Sequence, residues 1–382
     1  MMSSNVEMNK KQVRKKGGRY PYLPRLKKIG FCITCMNRRH HIEKTLEQNI
    51  LDNFYPDDVE FVLLDYNSSD GLEEWAKSMQ NFIDAGILVY YRTPTPSWYK
   101  RGHSRNMAIR LSDAEIVCNL DADNFLGKDF CQYIIQSMDK NKNTFYTSNY
   151  SVRNIVGRVC VSKLYFEQVR GYNEQFDSYG FEDVEFYDRL KKAGLTQKYI
   201  EGSPFYQYVD HSNEERILCD PAARNLENIY LAYLEPYRTL FLLLYNDHRY
   251  KTGVLLNNCL LYYNVLLRER VDLNDWLVDR RSRVVFEDEV KEGEWRKTEK
   301  SICLDHTRDL FFQNSRKSLL SDTATTFYEL NNELFPGFIM MIGEAINYRQ
   351  SHLAEGQIIN PSGFGKGIVY KNFDNNKKII LK

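Results

Sequence analysis

Between Lys28 and Asp123 short apolar runs alternate with longer amphipathic ones, and each apolar run breaks into a polar loop. That alternation is the pattern of an α/β domain built on a mostly parallel sheet. Ile29 to Thr34, Val59 to Leu64, Ile87 to Tyr91 and Glu115 to Leu120 are expected as strands. Asn37 to Asn49 is expected as a helix, with Ile42, Leu46 and Ile50 spaced for one buried face, and Leu72 to Ala85 as the next. Further helices are expected from Arg105 to Leu111 and from Asp183 to Lys192. Open sheets of this kind bind ligands beyond the carboxyl ends of their strands, so the loops after Thr34, Asp65 and Asp121 are expected to meet at one crevice.

The fourth apolar run ends in Asp121-Ala122-Asp123. Side chains two apart on an extended chain point the same way, so both carboxylates can face one cation or one diphosphate. Oxygen ligands suit Mg2+ or Mn2+, which keep water ligands and bridge to phosphate oxygens, better than they suit zinc. Asp-x-Asp also occurs in turns and solvated loops, so its place after a buried strand is what gives it weight.

At 382 residues the chain is long enough for two or three structural units, and 43% hydrophobic content supports a folded core. A formal charge of +1, over 52 basic and 51 acidic residues, excludes a nucleic-acid binder driven by bulk charge. The charge is unevenly placed: nine Lys or Arg and no acid lie between Lys10 and Lys28. Residues 1–25 are read as a flexible basic arm, with contact to an anionic membrane surface as the sharper alternative. That arm has no apolar core of the kind a signal peptide needs. The apolar stretches Leu240 to Tyr245 and Phe335 to Ile346 fall short of the ~20 residues of a membrane span. The expected location is therefore cytoplasmic, or peripheral to the inner face of a membrane. Eight cysteines are scattered without the density of a disulfide scaffold and are expected to be reduced and buried, including the Cys32/Cys35 pair inside an apolar run. From about Pro236 the strand pattern fades, and runs such as Leu255 to Leu267 and Ala324 to Leu334 read as helical. Residues 236–382 are expected as a mainly helical region that binds acceptor, builds a homo-oligomer or docks a partner, with a polar, Gly-rich, partly irregular tail from Gly356.

Residues 28–235 resemble the GT-A glycosyltransferases, a Rossmann-like fold, and most of all the family 2 group and relatives with a galactosyltransferase-like C-terminal motif. Four stretches carry the resemblance: Cys32-Ile33-Thr34-Cys35-Met36-Asn37-Arg38; Leu64-Asp65-Tyr66-Asn67-Ser68-Ser69-Asp70-Gly71; His103-Ser104-Arg105-Asn106 leading to Asn119-Leu120-Asp121-Ala122-Asp123; and Gly171-Tyr172-Asn173-Glu174 followed by Gly180-Phe181-Glu182-Asp183, with His211 further on. The resemblance implies a nucleotide-sugar donor, with a UDP-sugar favoured. It places Thr34, Arg38, Asp65 and Asn67 around the nucleoside, Asp65 accepting from a uracil-like N–H. Arg105 and Asp121 fall near ribose or phosphate, and Gly180 and Phe181 shape the sugar pocket. Asp123 is implied as a ligand of Mn2+ or Mg2+, with His211 and Asp121 beside it. An inverting transfer needs a base for the acceptor hydroxyl, and a carboxylate at a helix N-terminus is kept ionised by the free N–H groups there. Asp183 is implied as that base, with Glu182 holding acceptor or sugar hydroxyls. The alternative reading is that both are N-terminal capping carboxylates. Two departures are visible: Met36-Asn37 lacks the family's usual Tyr, and Asn67 stands where relatives often carry an acid. Trp98 and Tyr99, in the Pro-rich loop Thr93 to Gly102, are candidates for a lid over the donor.

The acceptor stays open among a glycan, a lipid-linked glycan of polysaccharide synthesis and a protein. A sugar nucleotidyltransferase would need a Gly-rich phosphate loop after the first strand, where this chain reads Thr34-Cys35-Met36-Asn37-Arg38-Arg39. A catalytically silent carbohydrate-binding scaffold would tolerate loss of the acids, yet Asp121, Asp123, Glu182 and Asp183 are all present.

Overall fold

The computed structural model describes residues 26–149, 153–220, 223, 225–235, 238–247, 250–256, 283–286, 295–297, 301–304, 325–330, 335–354 and 356–382. The basic arm 1–25 lies outside these. In chain order the strands are β1 (Lys27–Cys35), β2 (Val59–Tyr66), β3 (Leu88–Thr93), β4 (Ala114–Asp121), β5 (Asn124–Phe125), β6 (Thr144–Thr147), β7 (Val159–Ser162), β8 (Thr196–Tyr199), β9 (Gln207–Tyr208), β10 (Leu226–Glu235), β11 (Arg238–Tyr245), β12 (Tyr250–Leu256), β13 (Arg283–Phe286), β14 (Trp295–Lys297), β15 (Ser301–Leu304), β16 (Thr325–Glu329), β17 (Gly367–Lys371) and β18 (Asp374–Leu381). The helices are α1 (Arg39–Asp52), α2 (Leu72–Ala76), α3 (Gln80–Asp84), α4 (Arg101–Leu111), α5 (Phe130–Lys140), α6 (Lys163–Gln168), α7 (Glu182–Lys192), α8 (Asn213–Ile217) and α9 (Phe335–Leu353).

The main sheet has the order β18-β17-β3-β2-β1-β4-β7-β6-β8. Its centre, β3-β2-β1-β4, is parallel, with antiparallel pairings beyond β3 and β4. Every residue of β2 is buried, as a strand covered on both faces requires. The two-residue period sorts the core into layers. Ile29, Phe31 and Ile33 pack with Ile42, Leu46, Ile50, Phe130 and Ile134 from α1 and α5. Cys32, Val62 and Leu64 face the other way, onto Met107, Phe166 and Phe186 from α4, α6 and α7. Burying each of these large side chains contributes ~1.5–3 kcal/mol. The expected helix Leu72 to Ala85 is interrupted by a 3-10 turn at Lys77–Met79.

Within 236–382 the described residues differ from the mainly helical expectation, and β11 to β16 join β10 in one sheet. They form a seven-stranded antiparallel sheet, β13-β12-β11-β10-β16-β15-β14, with α9 laid on one face. Leu255 and Leu256 end β12, residues 257–267 lie outside the described segments, and Thr325–Glu329 is β16 rather than helix. The reason is physical: an unbroken apolar run such as Leu240 to Leu244 has no period, and only pairing with β10 and β12 decides that it is extended. The tail is also more regular than expected. β17 pairs antiparallel with β3 through Tyr370–Arg92 and Lys371–Tyr91, and β18 pairs with β17, so the last residues rejoin the first sheet. Among the described residues six cysteines are free, five of them buried. No described helix is long and apolar enough to cross a membrane.

Candidate active site

A cavity of about 650 Å3 opens beyond the carboxyl ends of β1 and β4 and is lined by residues of several loops, α7, α8 and α9. The Asp-x-Asp turn on its floor is pinned from below by polar side chains buried in α1. Thr45 Oγ1 donates to Ala122 O at 2.7 Å, and Asn49 donates to Asn124 O at 2.9 Å while accepting from Leu126 N at 2.7 Å. The chain then returns through β9, which pairs with β5, and Val209 N donates to Asp123 O at 2.7 Å. This second visit delivers His211, whose Nε2 lies 2.7 Å from Asp123 Oδ2. The other oxygen of Asp123 accepts from neutral Asn124 Nδ2 at 2.9 Å.

Facing this turn, Arg105 of α4 gathers three acids, Asp121 of the turn among them. Its Nη1 donates to Asp183 Oδ1 at 2.8 Å and Glu182 Oε1 at 3.3 Å, and its Nη2 to Asp121 Oδ1 at 3.3 Å. The guanidinium lies over the Tyr172 ring at 5.3 Å. Glu182 and Asp183 open α7, where unpaired N–H groups favour negative charge. Burial pushes the Asp183 carboxyl up to about 7, against the opposing pull of Arg105 and with help from the charges on Glu182 and Asp121. The buried Oε2 of Glu182 has no partner among the described residues. Gly157 makes the convergence sterically feasible: a Cβ there would sit 2.9 Å from Arg105 Nη2, 3.0 Å from Asp121 Oδ2 and 3.3 Å from Asp183 Oδ2.

Thr34, Arg38, Arg105, Asp121, Asp123, Gly180, Phe181, Glu182, Asp183 and His211 all line this cavity. Thr34 Oγ1 bonds Tyr99 Oη at 2.6 Å, which fixes Tyr99 on the wall, while Arg38 is held by the carboxylate and the backbone oxygen of Glu215. Arg105, expected either near ribose or phosphate or paired with an acid, is bonded here to three acids. Asp65 and Asn67 are not on the cavity wall. Asp65 is fully buried, accepting from Ser68 N at 2.7 Å and Tyr90 Oη at 2.8 Å, and burial holds its carboxyl above its ordinary value. In this arrangement it braces its own loop. Asn67, at φ 61°, donates to Pro96 O at 2.8 Å.

Several wall residues escaped the sequence reading: Arg101, Asn154, Gly157, Arg216, Met340 and Glu344. Arg101 pairs with Asp220 at 3.0 Å and stacks on Tyr179 at 4.2 Å, and Arg216 donates to the amide oxygen of Asn154 at 2.6 Å. An arginine in a run such as Trp98-Tyr99-Lys100-Arg101 or Asn213-Glu214-Glu215-Arg216 carries no local signal. The Asn213–Ile217 helix with acids in its first turn was the one hint that α8 held polar wall residues.

Two groups have the donor chemistry for a divalent cation. Among the described residues His40, His41 and Glu215 bring ligand atoms within 4.8 Å of one another. Glu215 Oε1 already receives Arg38 at 2.5 Å, a fixed positive charge where the cation would sit. Asp123 and His211 fit better, with a carboxylate oxygen and an imidazole nitrogen in contact, a neutral amide beside them, and Asp121 on the same turn.

Residues 31–188 match the family model described as glycosyl transferase family 2. Among solved structures, the mannosyltransferase PcManGT from Pyrobaculum calidifontis, in complex with GDP-Man and Mn2+, is 15% identical, with a TM-score of 0.43, over 52% of this chain and 64% of that one. S. aureus TarS 1-349 is 14% identical, with a TM-score of 0.40, over 49% of this chain and 61% of that one. TarS 1-349 in complex with UDP gives 14%, 0.41, 50% and 63%. The chain thus spans less than two thirds of the length of these solved chains. No curated protein matches it. The parallel β3-β2-β1-β4 core and the acidic turn at the end of β4 accord with the match of residues 31–188, which are similar to family 2 glycosyltransferases.

Proposed function

We propose that this chain is a metal-dependent, inverting glycosyltransferase that moves a sugar from a nucleoside-diphosphate sugar, of the UDP type, to an acceptor hydroxyl. The observation that carries the reading is the division of the cavity into two chemically distinct sides: Asp123 with His211 on one, and Glu182 with Asp183 held by Arg105 on the other, with Asp121 of the acidic turn bonded to Arg105 between them.

Asp123 and His211, with Asp121 beside them, would hold the cation, and the imidazole in the donor set favours Mn2+ over Mg2+. When bound, it would offset charge on the departing diphosphate. Arg216, whose described bond is to a neutral amide oxygen, is placed to take a phosphate oxygen. Asp183 takes the proton of the acceptor hydroxyl as that oxygen attacks the anomeric carbon. A carboxyl near 7 is matched to this task at neutral pH, since it is ionised in part yet basic enough to accept. Arg105 holds the base in place, and Glu182 offers its unpartnered Oε2 to a sugar or acceptor hydroxyl. Tyr99 and Thr34 form the nucleoside end. The acceptor is a glycan, lipid-linked or protein hydroxyl.

A screen of nucleotide sugars that measures UDP or GDP release, with and without Mn2+, on the wild type and Asp183→Asn tests the reading. Metal-dependent release that Asp183→Asn abolishes is expected. Absence of turnover with every donor overturns the enzyme reading, while an active Asp183→Asn overturns only the choice of base. His211→Ala is expected to weaken Mn2+ binding in the presence of UDP by ~10- to 100-fold, measured by calorimetry.

A further inference from the structure

The loop that presents the acid pair is backbone-strained, and one helix grips it. Gly180 at φ 84° and Phe181 at φ 69° take left-handed conformations in succession, immediately before Glu182. For a phenylalanine that backbone costs ~1 kcal/mol or more and persists only where surroundings enforce it. Here α9 supplies the enforcement. Asn347 is fully buried, and its Nδ2 donates to Ser178 O at 2.8 Å and to Gly180 O at 2.7 Å. With two carbonyl oxygens as neighbours, the amide must present its NH2 and not its oxygen.

Two further contacts lie on the same helix face. Gly343, one turn before Asn347, lets the backbones approach so closely that a Cβ would meet Tyr179 N at 2.7 Å and Tyr179 O at 2.8 Å. Tyr348 meets the Phe181 ring edge-on, with centroids 5.2 Å apart. Residues four apart on a helix share a face, so 343, 347 and 348 bear on one loop as a unit, and Met340 and Glu344 of that helix reach the cavity wall. The left-handed pair sets where α7 begins, and thereby where Glu182 and Asp183 stand relative to Arg105.

We propose that α9 is a clamp on the catalytic loop, with Asn347 as a positioning residue that fixes Asp183 by hydrogen-bonding the loop carbonyls of Ser178 and Gly180. This rests on reading Asp183 as the general base. It gives the region beyond residue 225 a direct part in transfer, although it lies outside the matched family segment.

Asn347→Leu keeps the volume and removes both donors. Displacement of a reacting group by ~1 Å costs ~10²-fold in rate, so kcat is expected to fall by that order while the Kd for UDP with Mn2+ stays within about twofold. Tyr348→Ala, at an exposed position, is expected to lower kcat several-fold with the same unchanged Kd, and it decides the matter if Asn347→Leu does not fold. Hydrogen exchange is read in parallel: amides 178–183 are expected to exchange at least tenfold faster in the variant that folds. The clamp is overturned if kcat stays within twofold of wild type, if the loss falls on KM alone, or if those amides keep their protection. An active Asp183→Asn would sink the base reading and leave the exchange result standing, and a wild type without transfer would leave exchange to decide the clamp.

Discussion

Replacing Arg105 by Gln removes the guanidinium that opposes the upward push of burial on Asp183. Its bond to Asp183 spans 2.8 Å, and hydrogen bonds to charged groups contribute ~1.5–3 kcal/mol. At ~1.36 kcal/mol per pKa unit, removal raises the carboxyl by ~1–2 units, from about 7 toward ~8–9. The assay is the pH profile of kcat/KM at saturating Mn2+, which reports the base of the free enzyme. In the wild type the rate should rise about tenfold per pH unit below 7 and level off above it. In Arg105→Gln the acid limb should move up, with a loss of ~5- to 50-fold at neutral pH that shrinks as the pH approaches ~9. Recovery at high pH separates an electrostatic role from misplacement, because a displaced carboxylate does not return to position when ionised. A limb that stays put or moves down, or a loss of equal size at every pH, would refute the reasoning.

Asp183→Asn should also alter stability in a pH-dependent way. The folded carboxyl is raised from its ordinary 3.8 to about 7, so its favourable contribution is complete below the lower value and is lost as pH rises through the upper. The Asn variant should therefore gain Tm at about pH 8 and not at about pH 3.5; ~1.4 kcal/mol per pH unit over that span bounds the gain at ~4 kcal/mol. Gly157→Ala places a methyl against Arg105 and Asp121, and overpacking of that kind costs ~1–3 kcal/mol. A drop in Tm together with a fall in kcat is expected, and an unchanged enzyme would contradict the close approach. Asn360→Ala deletes a buried side chain that donates to Arg170 O and Tyr172 O at 2.8 Å each and accepts from Glu174 N at 3.1 Å. At ~1 kcal/mol per bond the loss should be ~3 kcal/mol by urea denaturation, and a loss under ~0.5 kcal/mol would deny the tail its bracing role.

The four parallel strands were legible because apolar runs with turn residues between them are local signals, and the place of Asp121 and Asp123 on the cavity was legible because they follow the end of such a run. Helix α4 begins a turn earlier than expected, at Arg101, since a first turn of Arg-Gly-His-Ser has little apolar content to reveal it. The roles implied for Asp65 and Asn67 could not be checked from spacing: which way a loop carboxylate turns depends on Ser68 and Tyr90, and Tyr90 lies on another strand. Gly157 and Asn347 were invisible for the same reason. Each acts through a neighbour far away in sequence, and neither belongs to a pattern with a period. The described strands after 237 do not follow the helical expectation because their pairing partners, and not their composition, make them extended.

The return of the tail sets an order of assembly. During synthesis the outer edge of β3 has no partner until residues 367–371 emerge, so the first sheet is completed only by that segment. The same late segment supplies Gly365, whose N–H donates to Glu174 Oε1, and Asn360, which bridges Arg170 and Tyr172 just ahead of the loop that leads to Glu182 and Asp183. A nascent chain can therefore bury its first core early, yet residues 170–174 gain their brace only after residues 360–371 arrive. Contacts of such long sequence separation are slow to form, which makes an exposed β3 edge the point where folding and aggregation compete.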